Sequence, residues 1–351
     1  MKDGFHISKE PCYNFGKQEK SLSGEEMKRV VSGMRPTGRL HLGNLHGALE
    51  NWKKLQDEHE CFFFIADLHA LTSEYQDSAP IKGYIQEILI DWLSTGLDPN
   101  RCTIFIQSKV PEHTQLHVIF SMITPLPWLE RNPTYKEQQQ ELIDRDLNTY
   151  GFLGYPVLQA ADILVYKAQI VPVGVDQLPH LELTREIARR FNYLYKPIFP
   201  LPEPFLTEMP KLLGIDGRKM SKSYNNAIYL SDSPEVIKEK VSQMFTDASR
   251  LRRSDPGNPD ICNVFSFHRF YTPIKTVENI KSDCPLAKMG CVECKRILAK
   301  NLIKGLSHYQ EMRQYYREHL RDLDDILQSG ISYARSEAQA TLEEVKDTVS
   351  I

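Results

Sequence analysis

Long apolar runs are missing from this chain of 351 residues, and no stretch approaches the ~20 consecutive apolar residues that span a bilayer. The segment Met1 to Lys20 holds no signal-peptide core, so the expectation is a cytoplasmic protein that does not enter membranes. A surplus of one charge is missing too: 43 Lys and Arg face 46 Asp and Glu, a net charge of −3. Nothing therefore draws the whole molecule to nucleic acid, and an RNA partner would have to be gripped by a local basic patch. Cysteine is sparse and odd in number, seven in all, which argues against a disulfide framework in an intracellular chain. What remains is 41% hydrophobic and 25% charged residues with 18 Gly and 21 Pro. That balance belongs to a globular enzyme, with length enough for two domains.

Residues 1–25 are polar and form a tail. From Lys28 onward, apolar runs at Arg29–Met34, Cys61–Ile65, Thr103–Ile106 and Ile170–Val173 predict buried strands. Helical periodicity fills the gaps at His46–His59, Ile81–Leu93, His113–Met122, Gly154–Tyr166 and Gln177–Phe191. The alternation predicts an α/β fold of right-handed crossovers, a Rossmann-like parallel sheet with ligands at the carboxyl ends of its strands. After Tyr229 only helices are predicted: Pro234–Met244, Glu293–Leu323 with a break, and Tyr333–Val349. The expected division is a tail (1–25), a catalytic domain (26–228) and an all-helical domain (229–351).

Three constellations carry chemistry. The first strand runs into Arg35, Pro36, Thr37, Gly38, then His41, Leu42, Gly43 and Asn44, where a helix begins. Glycines there permit close approach to a ligand, and a helix start favours phosphate; the plain alternative is a helix cap. Further on, Lys219, Met220, Ser221, Lys222 and Ser223 follow Gly214 and Gly217 and precede Asn225 and Asn226. Two lysines among hydroxyls suit a loop that closes on pyrophosphate, although alone they describe an ordinary solvated turn. The third is a helix in which Tyr155, Gln159 and Asp162, spaced by four and three, share one face among aliphatics. A buried carboxylate needs partners, so this face lines a pocket or ties the helix to its neighbour.

The H-L-G-N and K-M-S-K-S sequences together resemble the two signatures of the class I aminoacyl-tRNA synthetases. Phe64–Thr72, Ile104–His113, Trp128–Arg131, Tyr155–Tyr166, Val171–Gln177 and His180–Arg189 are similar to the tryptophanyl members, and the likeness runs from about Lys28 to the C-terminus. Asn44 stands where the class usually has His, as in tryptophanyl members; His41, Arg35 and Gln159 depart from their common Thr, Gln and Met. The resemblance implies that ATP binds at Arg35, Pro36, Thr37, Gly43, Asn44, Gly174, Val175, Asp176, Leu212, Lys219, Met220, Ser221, Lys222 and Ser223. Lys219, Lys222, Asn44 and His41 would be catalytic, with Mg2+ assisting. Asp162 would read the indole, Tyr155 and Gln177 would hold the ammonium and carboxylate, and Gln159 would complete the pocket. Tryptophan would be activated by ATP and passed to the 3′ end of tRNA(Trp) by a homodimer. An acceptor at Asp162 also suits a tyrosine hydroxyl, so tyrosine ligation stays open, as does an inactive paralogue that only binds.

Cys262, Cys284, Cys291 and Cys294 are separated by 21, six and two residues. Four thiolates closing on C-x-x-C can hold zinc or an iron–sulfur cluster, or be buried thiols grouped by chance. A subset of bacterial tryptophanyl enzymes has similar spacing, which implies a [4Fe–4S] cluster, with zinc as the alternative. Lys240–Leu320 carries fourteen Lys and Arg against eight Asp and Glu, a surface that suits RNA phosphates or simply solvent.

Overall fold

A computed structural model describes residues 27–132, 146–206 and 212–351. The expected tail lies outside these residues. Five strands form one parallel sheet: β1 (Arg29–Met34), β2 (Glu60–Ile65), β3 (Cys102–Ile106), β4 (Ile170–Val173) and β5 (Glu203–Leu206), in the order β3-β2-β1-β4-β5. The order reverses at β1 and β4, where the crossovers depart to opposite sides and leave a crevice between the strand ends. Register aligns the carboxyl ends: Met34 pairs with Ile65, and Ile65 with Ile106. The residues that follow these three therefore emerge along one rim.

Strand residues alternate between two cores. Val30, Cys61, Phe63, Ile65 and Ile104 face one side, against α1 (Glu50–Leu55) and α3 (Ile81–Ser94), while α2 (Asp67–Glu74) follows β2 at the rim. Val31, Phe62, Phe64 and Phe105 face the other, with α4 (Glu112–Ile123), α5 (Tyr150–Leu164) and α6 (Leu178–Leu194). Phe62 and Phe63 are fully buried, each contributing about 1.5–3 kcal/mol. The predicted α/β fold is thus observed, with each expected strand in its place.

Helices alone follow Tyr229: α7 (Pro234–Gln243), α8 (Asn263–Tyr271), α9 (Ile274–Asp283), α10 (Cys291–Glu318) and α11 (Leu320–Val349). The expected break falls at His319. These helices pack into the same two cores as the sheet. Leu298, Leu302 and Leu306 of α10 belong to the first core, while α11 gives Leu323 and Ile326 to the first and Ala334, Ala338, Leu342 and Val345 to the second. The helix crosses the outermost strand at Gly330, where any side chain would overlap the Ile104 carbonyl oxygen, and so covers a sheet edge that would otherwise pair with other chains. Arg313 of α10 adds a buried ion pair with Asp91 and a 2.7 Å contact with Glu87, both on α3. No helix among the described residues is long and apolar enough to cross a membrane.

Candidate functional site

A cavity of about 350 Å³ opens at the carboxyl ends of β1, β2 and β4. The end of β1 and the first loop give it Met34 and Arg35; Ala66 after β2 is joined by His69 and Thr72 of α2; α5 gives Tyr155, Gln159 and Asp162; and the end of β4 and the residues after it give Val173, Gly174 and Gln177. The face predicted from spacing is therefore a pocket wall. α5 starts where the Thr149 hydroxyl accepts the Phe152 N–H at 3.2 Å, and four- and three-residue steps carry its polar face inward.

Asp162 is fully buried, and its carboxylate accepts three hydrogen bonds at 2.7 Å, from His113 Nδ1, Gln107 Nε2 and His69 Nε2. Gln107 also accepts the His69 backbone N–H at 3.4 Å, and His113 Nε2 faces the Tyr166 hydroxyl at 2.8 Å. Burial alone would raise the Asp162 carboxyl. The charge of His69 and the hydrogen bonds from His113 and His69 outweigh it and hold the group well below the ordinary carboxylate range. Asp162 is an anion at neutral pH, able to accept a ring N–H or a hydroxyl.

Above this floor, the Tyr155 hydroxyl lies 2.8 Å from His180 Nε2, and Asn132 Nδ2 lies 3.1 Å from His180 Nδ1. Burial, then the charge of His69, lowers His180 to about 4, and burial raises the Tyr155 phenol. Both are neutral at pH 7, so Tyr155 is held in place without bringing a charge.

The two loops predicted to take ATP are joined. Leu42 N–H donates to Ile228 O at 3.0 Å, Leu230 N–H donates to Leu40 O at 3.0 Å, and His41 bridges Tyr229. In the first loop the Asn44 side chain accepts the His41 backbone N–H at 3.0 Å, and the turn Leu42–Asn44 runs into a single π turn, Leu45–Leu49. Such bulges recur at functional sites; here it brings Gly47 and Ala48 to the cavity wall. Across the gap, Lys222 Nζ donates to Gly38 O at 2.9 Å. Gly38 has φ +136, with the Lys222 stem 3.1 Å from where a Cβ would stand, so only glycine suits both the backbone and the approach. Burial, then the Arg35 charge, lowers the Lys222 ammonium to about 8; burial, then Lys222, lowers His41 to about 4. Neutral His41 is a hydrogen-bonding group rather than a cation.

The remaining predicted residues divide. Pro36 is buried behind the loop and Thr37 donates its N–H to Arg35 O at 2.9 Å. Met220 and Leu212 are buried in the core, anchoring the lysine loop rather than facing the cavity, while Lys219 is exposed. Ser221 is half-buried, and Ser223 falls within the 3-10 turn Lys222–Tyr224. Val175 and Asp176 sit exposed at the rim beside Gly174. Spacing alone does not reveal His69, Gln107, His113 and His180; their signal is a polar residue embedded in apolar segments just beyond strand ends or on a helix face.

The four late cysteines converge from separate elements: Cys262 caps α8, Cys284 ends α9, and Cys291 and Cys294 open α10. All are free thiols. Burial, then Cys262, Cys284 and Cys291, raises Cys294 to about 12, so the four feel one another. The backbone of Gly257 lies where a Cβ would stand 2.6 Å from Cys284 Sγ, and Arg250 Nη1 approaches that sulfur at 3.7 Å. Against expectation, no three His, Cys, Asp or Glu among the described residues are arranged to hold a metal ion. The thiols are neighbours without closing on a single centre, as tetrahedral zinc requires.

The family model described as tRNA synthetases class I (W and Y) matches residues 23–307. The tryptophan–tRNA ligase of Thermotoga maritima is 50% identical, covering 92% of this chain and 99% of its own length. That of Aquifex aeolicus is 44% identical, covering 92% and 100%. A solved tryptophanyl-tRNA synthetase of Campylobacter jejuni, complexed with ADP and tryptophan, superposes with a TM-score of 0.85 at 32% identity, over 92% of this chain and 100% of that one.

Proposed function

We infer the chemistry from the family: this chain belongs to the tryptophanyl branch of the class I tRNA synthetases, and it ligates L-tryptophan to tRNA(Trp) with consumption of ATP. The observation that carries the reading is an ionised, fully buried Asp162 at the floor of a cavity lined in part by the first loop, which is itself joined to the lysine loop. In the first step a carboxylate oxygen of tryptophan attacks the α-phosphorus of ATP. The bond from that phosphorus to the bridging oxygen breaks, and pyrophosphate leaves with the electron pair. In the second, a terminal ribose hydroxyl of the tRNA attacks the acyl carbon and loses its proton, and AMP departs.

Asp162 accepts the indole N–H, Tyr155 and Gln177 orient the ammonium and carboxylate, and Gln159 closes the wall. Gly174, Val175 and Asp176 at the rim take the ribose. His41 and Asn44 give neutral hydrogen bonds to phosphate oxygens, and Lys219 and Lys222 meet the charge that grows on pyrophosphate. No side chain needs to form a bond with substrate; catalysis is positioning and charge stabilisation. Magnesium accompanies the ATP phosphates and would neutralise part of their charge.

The helical segment from residue 229 is assigned to anticodon recognition. Lys281, Lys288, Arg296, Lys300 and Lys304 are exposed there, on a stretch whose basic excess suits phosphates. Cys262, Cys284, Cys291 and Cys294 are assigned to a [4Fe–4S] cluster on their spacing and on their convergence from the ends of three helices. Exposed Val118, Met122 and Leu126 support a homodimer, and location in the cytoplasm follows from the reaction. Amino-acid-dependent ATP–pyrophosphate exchange tests the core of this reading: exchange with tryptophan and not tyrosine is expected, and exchange with tyrosine alone would reassign the pocket.

A further inference from the structure

The lysine loop holds its shape without a strand or long helix. Leu213 bridges Lys219, and only the short 3-10 turn Lys222–Tyr224 follows. A solvated surface turn would leave its polar groups to water. Here one buried side chain collects them. Asn226, 1% exposed, donates from Nδ2 to Asp216 Oδ1 at 2.8 Å and to Lys219 O at 3.1 Å, while its Oδ1 accepts the Ser221 N–H at 2.9 Å. A single amide thus grips the first and third residues of the signature and the turn before it. Its own carbonyl accepts Ile215 N–H at 2.8 Å.

The fit around this amide is close. Any side chain at Gly214 would overlap it, and Gly214 O is in turn held at 2.7 Å by Asn263 Nδ2, from the buried start of α8. With both amide protons donated and its oxygen engaged, Asn226 has one remaining acceptor site and no reason to rotate. The backbone it fixes is the one from which Lys222 reaches Gly38 O.

We propose that Asn226 is the positioning residue of the lysine loop: it sets the main chain of Lys219–Ser221 so that Lys222 faces the first loop, and thereby governs adenylate formation without touching substrate. The proposal rests on the assignment of that loop to ATP. Being built by other elements, the amino-acid cavity is left alone.

The test uses the full chain carrying N226D. Aspartate keeps the acceptor for Ser221, loses both donated bonds, and sets a second carboxylate against Asp216. The maximal rate of tryptophan-dependent ATP–pyrophosphate exchange should fall on the order of 10- to 100-fold, the scale of a misplaced catalytic group. Tryptophan affinity, by fluorescence titration, should stay within about twofold, the split that marks a transition-state defect. The double variant D216N/N226D reverses donor and acceptor and should recover a large part of the rate. Should N226D not fold, G214A presses a methyl on the same amide and should give the same selective loss. Exchange at the parental rate in N226D, a parallel loss of tryptophan affinity, or no recovery in the double variant would overturn the proposal. No exchange in the parent chain would instead remove the ATP assignment beneath it.

Discussion

The Asp162 carboxylate and the His113 imidazole meet at 2.7 Å with neither side chain reaching solvent. Removing Asp162 leaves His113, His69 and Gln107 as buried donors without their acceptor, at about 1–3 kcal/mol for each unsatisfied group. D162A should therefore unfold at clearly lower temperature and lose its discrimination among aromatic amino acids, read by exchange with tryptophan, tyrosine and phenylalanine. D162N keeps the shape without the charge. Since the folded-state carboxyl lies below its unfolded value of about 3.9, the ionic stabilisation is complete above that value and lost as pH falls through the lower folded one. The stability gap between parent and D162N should shrink as pH falls below about 4. Unchanged selectivity in D162A would remove Asp162 from the pocket.

Lys222 is placed to act on the departing phosphates rather than on the amino acid, because it lies against Gly38 and the first loop. A charge-assisted contact is worth about 1.5–3 kcal/mol, so K222A should slow exchange roughly 10- to 100-fold. Tryptophan binding should barely change. Equal losses in both would contradict a transition-state role.

The same lysine makes a pH prediction. Burial and the Arg35 charge bring its ammonium down to about 8. The charged form exists below that value, so kcat/KM for ATP should decline as pH climbs through about 8. K222R keeps its charge across this range and should flatten the alkaline limb, whatever its absolute rate. A parent profile level to about pH 9.5 would sink the argument.

β1 to β4 were legible because buried parallel strands read as apolar runs. β5 was not, since Glu203–Leu206 is exposed along its whole length and carries Pro204. The tail of α11 showed in Tyr333–Val349, but its first half and its path across the outer strand depend on Gly330 meeting Ile104, which no local pattern encodes. The same divide runs through the site. Tyr155, Gln159 and Asp162 lie on one helix and reveal themselves by spacing, whereas His69, Gln107 and His113 reach Asp162 from three elements brought together only by sheet register. Asn226 reads as a turn residue until its amide is seen to be enclosed.

The cysteine assignment makes the last prediction. Cys262, Cys284, Cys291 and Cys294 are close enough to perturb one another yet not arranged for a single ion, and Arg250 sits 3.7 Å from the Cys284 sulfur, with its other nitrogen donating to Met289 O at 2.8 Å. A guanidinium there would offset negative charge on thiolates bound to iron. Protein purified without oxygen should be brown, with about four iron and four sulfide per chain. C291S should lose the colour. Its effect on amino-acid activation should be small, because the cavity and the lysine loop are built from other residues. Its charging of tRNA should suffer more if these thiols shape the RNA-facing surface. A colourless preparation holding one zinc ion per chain would replace the cluster with a mononuclear site and would require the thiols to close together on binding.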